Sequence, residues 1–158
     1  MRILRLAVVI GLTELSGPAG VEAQQPWLPE GVAAITFCRN GKAESWISAE
    51  AAETVHREAL LAHEAVHRQQ AAAYPSCEEF YASITSPDRL IAVEVPAYCA
   101  QWEVERANGG RADLILPAMA ERLAADGGIP ERMSEILRRL RRRCGEIGGV
   151  ERPLASNR

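Results

Sequence analysis

From Ala49 to Ala73 the chain carries neither glycine nor proline and is rich in Ala, Glu and Leu. A run of that length without a breaker predicts one long helix, against which the rest of the chain must pack. Ser48 stands where an N-cap belongs, Glu50 and Glu53 fall in the first turns, where they complement the helix dipole, and Tyr74-Pro75-Ser76 ends the run. The chain has 158 residues, enough for one domain with a real core and short for two. With 47% hydrophobic and 25% charged residues it has a globular composition, and abundant Ala and Arg beside few aromatics lean toward helix. A formal net charge of −3 argues against a general nucleic-acid binder, which carries a strong basic excess.

Around that helix the other elements are readable in outline. Gln24 to Glu30 is polar and proline-bearing, an extended lead-in. Val32 to Cys38 is apolar and partly β-branched, enough for one buried strand, closed by a turn at Asn40-Gly41. Cys77 to Thr85 reads as a loop or short helix. Ser86-Pro87-Asp88 starts a helix that runs to Arg106 and stops at Asn108-Gly109-Gly110, with Pro96 predicting a kink or a restart near Val95. Asp113 to Ala125 and Ile129 to Cys144 are two further helices, and the tail from Gly148 reads as disordered. No internal repeat or low-complexity tract is present. The expected class is mainly α, α+β at most: a single helical domain over residues 24–147 with one or two short strands, between a leader (1–23) and a tail (148–158).

The leader has the grammar of a secretory signal. Arg2 and Arg5 form a basic start, Leu6 to Leu12 a short apolar core, and Val21-Glu22-Ala23 a small–x–small site before Gln24. Glu14 weakens the pattern, Ala19 is a competing cleavage point, and an ordinary N-terminal helix is the plain alternative. The apolar core is too short to span a bilayer, which takes about 20 residues, and no second run approaches that length. A secreted or periplasmic location follows, with no transmembrane segment in the mature chain. Cys38, Cys77, Cys99 and Cys144 fit export, being even in number and forming no C-x-x-C pair. Four cysteines allow three connectivities. The preferred one is Cys77–Cys99 with Cys38–Cys144, because the first bridge staples a loop close to the motif described next; four buried free thiols are the alternative.

Inside the long helix stands His63-Glu64-Ala65-Val66-His67, an H-E-x-x-H motif. Two residues four apart on a helix are rotated by only about 40° and displaced by about 6 Å, so both imidazoles leave one face and can close on one zinc ion. Glu64 points slightly aside, toward where a zinc-bound water would lie, and can take its proton. The same spacing also arises in a solvated amphipathic helix with incidental histidines, and Arg68 stands where zinc peptidases usually carry an uncharged residue. A third ligand decides between these. A metzincin needs glycine at position 70 and histidine at position 73, where this chain has Gln70 and Ala73, and no histidine lies downstream. His56 is two turns upstream, about 10 Å along the axis and out of reach. A carboxylate remains: Glu94, flanked by apolar residues in Ile91-Ala92-Val93-Glu94-Val95-Pro96-Ala97-Tyr98, needs a partner if buried.

His63-Glu64-Ala65-Val66-His67 followed by Glu94-Val95-Pro96-Ala97-Tyr98 on a second helix resembles the gluzincin type of zinc metallopeptidase. Gln69-Gln70 and the Glu-x-x-Ala-Tyr run are similar to those of small uncharacterised gluzincin-like domains. The resemblance spans roughly residues 48–106 and is a match of class. It implies Zn2+ held by His63, His67 and Glu94, Glu64 as general base, and a protein or peptide substrate hydrolysed by a zinc-activated water. Larger gluzincins add a substantial sheet and a second subdomain, whereas here one strand precedes the motif helix. The rival expectation is a non-catalytic exported helical module, stabilised by disulfides, with zinc structural or absent.

Weaker signals surround the motif. Tyr98, four residues after Glu94 and on its face, could donate to a developing oxyanion or simply pack in the core. Tyr74, Phe80, Tyr81, Tyr98 and Trp102 cluster near the motif, as a cleft wall or as core packing. His56 reads as a surface or supporting histidine, and Glu103 and Glu105 as solvated. Arg138-Arg139-Leu140-Arg141-Arg142-Arg143 would suit an acidic partner or membrane surface, but arginine at a helix C-terminus is favoured by the dipole alone.

Overall fold

A two-residue turn has both central residues at positive φ, Asn40 at 51° and Gly41 at 78°. That geometry matches the twist of a hairpin, and Asn-Gly is the pair that adopts it most cheaply. The computed structural model describes residues 32–54 and 56–148. In it the turn joins β1 (Ala34–Arg39) to β2 (Lys42–Ile47), paired antiparallel with Thr36 opposite Ser45. The second strand, KAESWI, has too few apolar positions to announce itself; the turn brings it into register.

The helices follow as α1 (Ala49–Ala52), α2 (Arg57–Ala71), α3 (Cys77–Ala82), α4 (Pro87–Ala107), α5 (Ala112–Asp126) and, after a 3-10 turn at Pro130–Arg132, α6 (Met133–Gly148). The class is therefore mainly α with one short hairpin. Ser48, Ser76 and Ser86 each accept the backbone N–H three residues on, capping α1, α3 and α4. The single helix expected over 49–73 is instead two. Thr54 Oγ1 donates to the Ala51 carbonyl at 2.8 Å and accepts from the His56 N–H at 3.2 Å, so a side chain takes up groups that would have continued the helix. His56 becomes the N-cap of α2. The restart expected near Val95 does not occur: α4 runs unbroken through Pro96.

Two apolar clusters share α4. Its Ile91, Val95, Cys99 and Trp102 face Leu116, Leu123, Ile136 and Leu140 of α5 and α6. Its Val93 faces the smaller cluster of Ala71, Cys77 and Phe80, which the hairpin roofs with Cys38 and Ala43. α2 lies along α4 and against both strands, and contributes Ala71 to the smaller cluster.

The disulfides are Cys38–Cys77 and Cys99–Cys144, with no free cysteine among the described residues. This corrects the preferred pairing of Cys77 with Cys99 and Cys38 with Cys144. Cys77 sits at the start of α3, whose N–H donates to the Gly41 carbonyl at 3.0 Å, so it meets the hairpin. Cys99 lies on the opposite face of α4, fully buried against α6. Nearness to the motif in sequence misled because the two cysteines project into different clusters. No helix among the described residues is long and apolar enough to cross a membrane. The leader, its cleavage site, the lead-in and the tail beyond residue 148 lie outside the described residues.

Candidate metal centre

The one cluster among the described residues able to hold a metal ion is His63, His67 and Glu94. His63 and His67 come from successive turns of α2, and Glu94 faces them from α4. His63 Nε2 and His67 Nε2 are 3.1 Å apart, and Glu94 Oε2 is 3.5 Å from each. Donors bound tetrahedrally at zinc distances stand about 3.3 Å from one another, so this triangle already has the dimensions of three corners of a zinc site. Two imidazole nitrogens and one carboxylate oxygen are a donor set that suits zinc, and three ligands leave a fourth position open. The residues present fit the ion.

Gln70 fixes how His67 presents itself. Its Nε2 donates to the Val93 carbonyl at 2.9 Å, which leaves Oε1 facing His67 Nδ1 at 3.0 Å. Because a carbonyl oxygen can only accept, Nδ1 must carry the proton and Nε2 is the nitrogen free to ligate. One amide thus ties a ligand on α2 to the residue before the ligand on α4. His63 is held by packing: the Tyr98 ring meets it edge-on, centroids 4.7 Å apart and planes at 84°. His63 Nδ1 is buried without a hydrogen-bond partner.

Without metal, the three groups compensate one another electrostatically. Burial alone would push His67 down, but the adjoining Glu94, with Glu64 and Gln70, raises it from 6.5 to about 9. Burial would likewise raise Glu94, and hydrogen bonds and charge from His63 and His67 reverse this, lowering it from 4.5 to about 2. Tyr98 and Tyr81 are both pushed above the ordinary tyrosine range, first by burial and then by the carboxylates Glu94 and Glu64, so each stays a phenol.

Glu64, 5% exposed, points under the hairpin, where Thr36 Oγ1 donates to its Oε2 at 2.6 Å. Thr36 Oγ1 is also 2.9 Å from Ser45 Oγ, its partner across the strands, and Arg68 donates to that Ser45 hydroxyl. Tyr81 donates to the Thr36 carbonyl at 2.6 Å. Thr36, Ser45 and the orienting role of Gln70 escaped the sequence reading. The available signal was a lone hydroxyl in an otherwise apolar strand and an amide one turn after His67.

The remaining candidates separate. His56 is exposed at the start of α2, its Nδ1 3.9 Å from Glu105 and away from the cluster. The aromatics do not form one wall: Tyr74, Phe80 and Tyr81 stack edge-on beneath the hairpin, while Trp102 is 1% exposed in the helical core with Arg106 over its ring. Of the arginine run, Arg139 pairs with Glu135 at 2.7 Å, and Arg138, Arg141, Arg142 and Arg143 are exposed along the far end of α6. Comparison with protein-family models, with curated proteins and with solved structures finds no match to this chain.

Proposed function

We propose that the chain is an exported zinc-dependent hydrolase of the peptidase type, with a gluzincin-like centre. The observation that carries this reading is the triangle of 3.1, 3.5 and 3.5 Å among His63, His67 and Glu94. His63, His67 and Glu94 would hold the ion. Zinc bound there supplies a Lewis acid for a carbonyl oxygen and a water of lowered pKa. Glu64 is the base: its carboxylate is adjacent to the ligand pair in sequence, anchored through one oxygen, and leaves the other to take a proton and pass it to a leaving group. Gln70 holds His67 in its ligating tautomer, and Tyr98 braces His63 while remaining protonated. Two disulfides suit an oxidising compartment.

One observation favours a non-catalytic module with structural zinc: His63 and His67 are only 9% and 7% exposed, which leaves a substrate little access. The two readings part at Glu64. Metal analysis of the purified chain should give one zinc per molecule, lost in His63→Ala and kept in Glu64→Gln. With an unfolded protein as substrate, Glu64→Gln should abolish cleavage that the wild type performs. Zinc without cleavage leaves the structural module, and no zinc in the wild type ends both metal readings.

A further inference from the structure

Arg68 departs from the pattern of zinc peptidases, and the structure gives the departure a use. A hydroxyl has one proton to donate. Thr36 gives its proton to Glu64 Oε2, the shortest of its contacts at 2.6 Å. The 2.9 Å contact between Ser45 and Thr36 must therefore be donated by Ser45, whose oxygen accepts from Arg68 in turn. Every proton in the series points the same way: from the Arg68 guanidinium through Ser45 and Thr36 to the Glu64 carboxylate. Such a series has a cation at its donor end and a carboxylate at its acceptor end, and its bonds reinforce one another in a dry setting. Thr36 is 6% exposed and Glu64 5% exposed, so water does not compete for the last link, from Thr36 to Glu64.

The geometry points to Thr36 as a positioning residue for Glu64, with Ser45 and Arg68 completing a polar relay through which the two-stranded hairpin fixes the base. Arg68 leaves α2 one residue after the ligand His67, and Glu64 leaves it one residue after the ligand His63. Both ends of the relay are thus locked to the turns that carry the imidazoles. Its middle is a cross-strand pair whose register is set by the Asn40-Gly41 turn. The hairpin then does more than roof the small cluster. It holds one oxygen of Glu64 and leaves the other outside the relay, where it would be free to act as base beside a bound ion.

This inference rests on the metal-centre reading, and the test separates the two. Cobalt(II) serves as probe, since its visible absorption responds to groups beside the open coordination position. In the cobalt-loaded chain, Glu64→Gln and Thr36→Val should shift the band alike. Thr36→Ser should restore it, Thr36→Val added to Glu64→Gln should produce no further shift, and Arg39→Ala, which breaks the Arg39–Glu44 pair elsewhere on the hairpin, should leave it unchanged. A wild-type spectrum in Thr36→Val or in Glu64→Gln, or an equal shift in Arg39→Ala, overturns the proposal. If the wild type takes up no cobalt, the metal reading falls and the relay is judged in the metal-free chain. There Thr36→Val should lower the melting temperature in the wild-type background and lose that effect in a Glu64→Ala background; equal losses in both would refute it.

Discussion

The two disulfides close loops of similar length, 39 and 45 residues, in unlike surroundings. Cys99–Cys144 joins α4 to α6 within the larger cluster, beside Ile136 and Leu140, which are wholly buried. Cys38–Cys77 ties the hairpin to α3 in a cluster of only four fully buried residues, beside a layer of histidines, carboxylates and hydroxyls. The helical half has apolar area to hold it together. The hairpin half has less apolar area and buries polar groups that are stable only while partnered. The larger apolar core lies in the first region and the buried polar side chains in the second, with α4 contributing to both.

The largest test of that division is Trp102→Ala. Emptying the site of this residue, 1% exposed, should cost about 3–5 kcal/mol in urea unfolding and unfold the whole chain together. Next come the bridges. Chain-entropy reasoning gives each loop closure about 4 kcal/mol, so the pair differ in where the loss appears more than in its size. Replacing Cys38 and Cys77 by serine should speed amide exchange in β1, β2 and α3 while α4–α6 stay protected. Replacing Cys99 and Cys144 should loosen every element at once. Equal patterns would erase the distinction between the halves.

Smaller effects probe the site. Gln70→Ala frees His67 to turn or change tautomer and should weaken zinc binding about 10- to 100-fold by competition titration, with little change in metal-free stability. The pH dependence has a defined sign. The raised His67 contributes fully below 6.5 and loses its contribution as pH climbs toward about 9. The lowered Glu94 contributes fully above 4.5 and loses its contribution as pH falls toward about 2. Metal-free protein should therefore gain most from this pair between 4.5 and 6.5. Zinc reverses the alkaline limb, because it needs His67 without its Nε2 proton; its affinity should rise toward pH 9, and uptake at pH 7 should release a proton, measurable by calorimetry in buffers of different ionisation enthalpy. Smallest of all, Arg141→Gln on the exposed end of α6 should change stability by less than about 0.5 kcal/mol.

What could be read from the sequence was whatever is written in local spacing. Caps at Ser48 and Ser86, the stop at Asn108 and the His63–His67 pairing depend on residues a few positions apart. The placement of Glu94 opposite those histidines came from eliminating other ligands and from class resemblance, and the two helices do bring it within reach. The break at Thr54 was hidden because neither glycine nor proline marks it, while one hydroxyl bonds the backbone. Cys99 misled because which face of α4 meets α6 is decided by packing across the chain. Thr36 and Ser45 matter only as a cross-strand pair, and β2 carried too weak a pattern to reveal that pairing.

X-ray absorption at the zinc edge of the loaded chain tests the central claim most directly. The account predicts a shell of nitrogen and oxygen at about 2.0–2.1 Å, with the outer scattering of two imidazoles that falls to one in His67→Ala. A shell containing sulfur, or two-imidazole scattering that survives in His67→Ala, would contradict it.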